Sequence, residues 1–121
     1  MKIKVKEKVE QEIEVDVEFP FYREHDYSSD DNRYQSVRYT KTDCIDGKIK
    51  RIGVCLRGNN FWQSKDILPE EVELDIEDDY ELSKDVWGVE SGWSSMETTQ
   101  KAFDSAMQIA EKFFNEMKKN T

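Results

Sequence analysis

Three stretches of the chain alternate apolar and polar residues at period two, and a fourth repeats apolar residues every three or four positions. Period two marks a strand with one buried face, and the longer spacing marks an amphipathic helix. From Ile3 to Phe19 the odd positions read Ile3, Val5, Glu7, Val9, Gln11, Ile13, Val15, Val17 and Phe19, while every even position is charged. The apolar row weakens at Glu7 and Gln11, so one long bent strand or two shorter ones are expected, ended by Pro20. Residues 23–33, REHDYSSDDNR, read as a polar loop.

The second alternating stretch is YQSVRYTKTDCIDGKIKRIGVCL, with Asp46-Gly47 at its centre. Asp-Gly suits a two-residue turn that needs positive φ at both central residues, so a hairpin is expected. That turn pairs Ile45 with Lys48, Asp43 with Lys50, Lys41 with Ile52, Tyr39 with Val54 and Val37 with Leu56. One face then holds Val37, Tyr39, Ile52, Val54 and Leu56 as core; the other, with Arg38, Thr40, Thr42, Arg51, Cys55 and Arg57, is expected to be wet. In this register Cys44 and Cys55 stand too far apart for a disulfide.

After a loop, RGNNFWQSKD, the third stretch places Val72, Leu74, Ile76, Tyr80 and Leu82 on even positions and Glu71, Glu73, Asp75, Glu77, Asp79 and Glu81 on odd ones. A strand is expected over residues 71–76, with a turn at Glu77-Asp78-Asp79 as the alternative to its continuation. Residues 86–93, VWGVESGW, are aromatic and punctuated by glycine. A helix is expected from Ser95 to Lys118, capped by Ser94 or Ser95, with Glu97 or Thr98 near the third position. Its apolar stripe is Phe103, Ala106, Met107, Ala110, Phe113, Phe114 and Met117, and Lys118 and Lys119 suit the negative end of its dipole. Together these elements predict one α+β domain spanning the chain, a small antiparallel sheet of three to four strands with the C-terminal amphipathic helix on its apolar face.

Charge changes the picture more than size does. The 121 residues carry a formal net charge of -9, with 36% apolar and 37% charged residues. Residues 34–57 hold 6 basic and 2 acidic groups, and residues 58–92 hold 2 basic and 11 acidic. Such a surface repels free nucleic acid and anionic membranes and attracts basic proteins. No apolar run approaches a membrane span, and MKIKVKEKVE lacks the apolar core of a signal peptide, so a cytoplasmic protein with free thiols is expected.

Candidate chemistry is sparse. His25 is the single histidine, and a solvated side chain explains it better than a metal ligand. Asp75, Glu77 and Asp79 suggest a calcium loop, but the sixth and twelfth places hold Tyr80 and Val86 where glycine and glutamate are required. There is no nucleophile elbow or phosphate-cradling glycine loop, and neither cysteine has a histidine beside it. Neither a cofactor nor a catalytic residue is assigned, and a non-enzymatic protein is expected over a small carboxylate enzyme or metal protein.

The acidic strand is the sharpest feature. Alternate residues of a strand lie about 6.6–6.8 Å apart on one face. Six carboxylates at that spacing form a line of negative charge that imitates a nucleic-acid backbone, provided nothing neutralises it. The blander reading is a solvated face that deters aggregation, with the acids of residues 10–18 pairing with the arginine row of the hairpin. In size, acidity and lack of an enzymatic motif, the chain resembles phage-encoded inhibitors of host defence, nucleic-acid mimics and anti-CRISPR proteins among them. That resemblance implies docking on a basic protein such as a nuclease, without direct nucleic-acid binding. The expected partner-binding residues are Glu71, Glu73, Asp75, Glu77, Asp79, Glu81, Trp62 and Trp87. A homo-oligomeric structural or accessory protein of a phage or mobile element, a homodimer among the options, using strand edges and tryptophans, is the competing expectation.

Overall fold

The computed structural model describes residues 2–6, 12–26, 34–64, 66–82 and 96–119. The alternating N-terminal stretch forms two strands, β1 (Lys2–Lys6) and β2 (Glu12–Asp16), paired antiparallel as a two-stranded sheet. The register sets Lys2 opposite Asp16, Lys4 opposite Glu14 and Lys6 opposite Glu12, with Ile3 opposite Val15 and Val5 opposite Ile13. Glu12, Glu14 and Asp16 are therefore in register with the lysines of β1 rather than with the arginines of the second hairpin. Cross-strand pairs of opposite charge favour this register, and a slip by one residue would set apolar against charged groups.

A second antiparallel sheet contains β3 (Phe21–Asp26), β4 (Tyr34–Ile45), β5 (Lys48–Asn59), β6 (Glu71–Glu77) and the two-residue β7 (Met96–Glu97), in the order β6-β5-β4-β3-β7. The central hairpin has the register expected from its turn, from Ile45 opposite Lys48 to Tyr34 opposite Asn59. Asp46 and Gly47 both take positive φ, 54° and 80°, as a primed turn requires.

Helix α1 (Gln100–Lys119) packs on β3, β4 and β5. Phe103, Ala106 and Ala110 are buried against Val37, Val54, Leu56 and Phe61, with Tyr22, Tyr39, Ile52 and Val72 around them. The fold is thus the expected α+β arrangement, four full strands and one short one under a C-terminal helix.

Four details differ from the sequence reading. Residues 23–26 are not loop but the second half of β3, in register with Thr40 to Val37 of β4. Their charge hides a strand that the long neighbouring strand imposes through main-chain pairing. The helix starts five residues later than expected. Met96 and Glu97 pair with β3, the Thr98 N–H donates to the Tyr22 carbonyl at 3.0 Å, and Thr99 caps the helix. Ser94 and Ser95, the expected caps, lie outside the described residues. The apolar stripe also ends early: Met117 is 55% exposed, while Ile109, outside the expected stripe, packs on the core.

Candidate functional site

The face of the sheet away from the helix is wet only in part. Thr42 is 1% exposed, Arg23 4%, and Cys55 is also buried. The strand register places Arg23 and His25 of β3, Arg38, Thr40 and Thr42 of β4, Arg51, Gly53, Cys55 and Arg57 of β5, and Glu71, Glu73, Asp75 and Glu77 of β6 on this one face. His25 is therefore a half-buried strand residue in register with Arg38, not a solvated loop residue.

The four acids of β6 stand against the protein's own arginines. Arg38 donates to the Asp75 carboxylate at 2.7 Å. Arg51 pairs with Glu77. Arg57 reaches Glu73 at 3.1 Å and Glu71 at 3.5 Å. The hydrogen bond to Glu73 is the main reason that the Arg57 guanidinium holds its proton above the ordinary arginine range. The Arg38–Asp75 pair spans the whole of β5 and passes over Gly53. A Cβ at position 53 would lie 2.7 Å from Asp75 Oδ1 and 2.9 Å from Arg38 Nη2, so glycine leaves the room this pair uses. Partly exposed pairs of this kind contribute about 0–1 kcal/mol each. Their larger effect here is to cancel most of the repulsion along the row.

Beyond Glu77 the chain bends at Asp78 and Asp79, which ends the row. Asp79 and Glu81 therefore do not extend the line of carboxylates. The bend also reverses the side-chain parity. Tyr80 was expected beside Ile76, yet its ring lies 4.1 Å from the Arg51 guanidinium on the acidic face, and its N–H donates to the Ile49 carbonyl at 2.8 Å. Burial raises the Tyr80 pKa, partly offset by the charge of Arg51. On the same face, burial lowers the Arg23 pKa against the pull of Glu97 and Tyr80.

The opposite side of β6 opens towards its C-terminal end. Val72 packs on the core, but Leu74 is 45% exposed and Ile76 70%. β6 is also the outermost strand, and among the described residues nothing pairs with its outer edge. Main-chain N–H and C=O groups are thus presented beside two apolar side chains, the arrangement that invites another strand.

Trp62 stands apart from this edge, in the loop after β5. Its ring packs 5.1 Å from Phe61 and edge-on to Tyr39 at 6.3 Å. It lines an open groove of about 510 Å³ with Phe61, Ile67, Leu68, Ile109 and Lys112. Trp87 lies outside the described residues. Among the described residues no group of three or more His, Cys, Asp or Glu is placed to hold a metal ion, and no helix is long and apolar enough to cross a membrane. The structure thus collects Glu71, Glu73, Asp75 and Glu77 on one strand and leaves Asp79, Glu81 and Trp62 elsewhere. Pairing of Arg38, Arg51 and Arg57 with carboxylates was expected, but with the acids of residues 10–18; the partners are instead the acids of β6. Their signal was present, because the net-positive segment 34–57 directly precedes the acidic one, and neighbours in sequence are commonly neighbours in a sheet. Comparison with protein-family models, with curated proteins and with solved structures gave no match.

Proposed function

We propose that this protein is a non-enzymatic binding module that docks a basic protein partner along the open edge of β6. The observation that carries this reading is the exposure of Leu74 and Ile76 on an outermost strand whose other face is a row of acids. A nucleic-acid mimic needs an unneutralised line of charge, and Arg38, Arg51 and Arg57 lie along that line. Strand addition does not need it. Main-chain hydrogen bonds supply affinity, the apolar pair supplies burial, and the surrounding acids select for a basic partner. Residues 66–82 hold nine acids and no base, so the neighbourhood remains negative after Arg38, Lys50, Arg51 and Arg57 are counted. Proteins that handle nucleic acid carry basic surfaces of the required sign.

The test is a peptide of alternating lysine and valine, labelled and titrated with the protein, beside a peptide of the same composition with its lysines in one block. The alternating peptide should bind, weaken as salt rises, and lose about tenfold in affinity to an Ile76→Lys variant. Equal binding of both peptides, or no effect of the substitution, contradicts docking at this edge.

A further inference from the structure

The chain carries a strand of the chemistry that the β6 edge would accept. β1 reads KIKVK and in this structure lies opposite EIEVD of β2, lysine to acid and apolar to apolar. β6 reads EVELDIE, the same alternation of acid and apolar residue as β2. β1 pairs along one edge only among the described residues, because its sheet has two strands. We infer that the outer edge of β1 in one copy adds to the outer edge of β6 in a second copy, so that the chain self-associates through its N-terminal hairpin. This inference rests on the reading of β6 as a docking edge.

Charge decides between the two ways in which copies can meet at β6. Antiparallel pairing of β6 with β6 about Leu74 sets Glu71 opposite Glu77 and Glu73 opposite Asp75, and like charges directly opposite are destabilising. Antiparallel addition of β1 sets Lys2, Lys4 and Lys6 opposite Glu77, Asp75 and Glu73, with Ile3 and Val5 opposite Ile76 and Leu74. Every facing pair is then matched. The lysines would lie between two rows of acids, those of their own β2 and those of the neighbouring β6. Because the two surfaces differ, the contact is head-to-tail: it closes when two copies exchange hairpins or when several form a ring, and otherwise builds an open chain of copies.

Sedimentation of the intact protein over a range of concentrations, at low and at high salt, tests this. Self-association at low salt that weakens at high salt is the expected result. Ile76→Lys should lower the association constant by about tenfold or more, and Lys4→Glu should lower it similarly from the other partner surface. Ile76 is mostly exposed, so its substitution should leave the thermal melt of the fold unchanged. Because Lys4→Glu also sets a glutamate opposite Glu14, a mixture of Ile3→Cys and Ile76→Cys variants, each with Cys44 and Cys55 replaced by alanine so that one cysteine remains, gives an independent readout: an interchain disulfide should form in the mixture faster than in either variant alone. A monomer at all concentrations overturns the inference, as does self-association indifferent to both substitutions. If the alternating peptide still binds at β6 in those cases, the docking edge stands and only the second copy as its occupant falls.

Discussion

Tyr39 lies on the helix face of β4 opposite Glu24, with its hydroxyl hydrogen-bonded to that carboxylate. Burial, with the nearby charge of Glu24 and Asp26, pushes its pKa up to about 12. The unfolded chain releases this proton near pH 10, whereas the folded protein holds it until about pH 12. Stability is therefore full below pH 10 and falls as pH rises through that window, since the unfolded state binds fewer protons there. Tyr39→Phe should cost about 1 kcal/mol at neutral pH through the lost hydrogen bond. It should then lose less stability than the natural chain between pH 10 and 12, so that melting temperatures of the two converge. Parallel curves would contradict this environment for Tyr39. At this scale the sequence was legible where the pattern is local. The core positions Val37, Val54 and Leu56 follow from alternation alone. Arg38 does not, because its partner Asp75 lies 37 residues away and is reached only across Gly53.

At the scale of elements, the hairpin of β4 and β5 was legible to the residue, because Asp-Gly dictates both the turn and the register. The β1–β2 hairpin was legible only in part: two strands were one of the expectations, but their pairing with each other was not. Its even positions change from lysine to acid partway along, and a chain folded back at that change sets unlike charges together. β3 was not legible, since Arg23, Glu24, His25 and Asp26 look like loop residues until β4 supplies a partner. The helix start failed for a related reason. Several Ser and Thr residues compete as caps, and only the pairing of β7 with β3 selects Thr99. Thr99 Oγ1 accepts from the Ala102 N–H at 3.1 Å, and the Phe103 N–H donates to the Thr99 carbonyl at 3.2 Å. Thr99→Ala should therefore cost about 1 kcal/mol in denaturant unfolding. No loss would mean that the helix is capped elsewhere.

For the whole molecule, the acidic row looks different once the fold is assembled. Four carboxylates that read as a free line are threaded by three arginines, while two apolar residues that read as core are left at an open edge. The helix packs on β3, β4 and β5, and apolar cover thins along β6 towards Ile76. An unprotected edge of this kind is a hazard for aggregation unless it is used or guarded by charge. Nearby acids guard it against a second β6 and leave it open to a basic strand. The most direct measurement is amide hydrogen exchange over Glu71–Glu77, with and without the alternating lysine–valine peptide at saturation. Strand addition at this edge should slow exchange at alternate β6 amides, those directed outward from the sheet, and leave the β7 edge unchanged. Unchanged exchange across β6 while the peptide is bound, or protection confined to another edge, would contradict it.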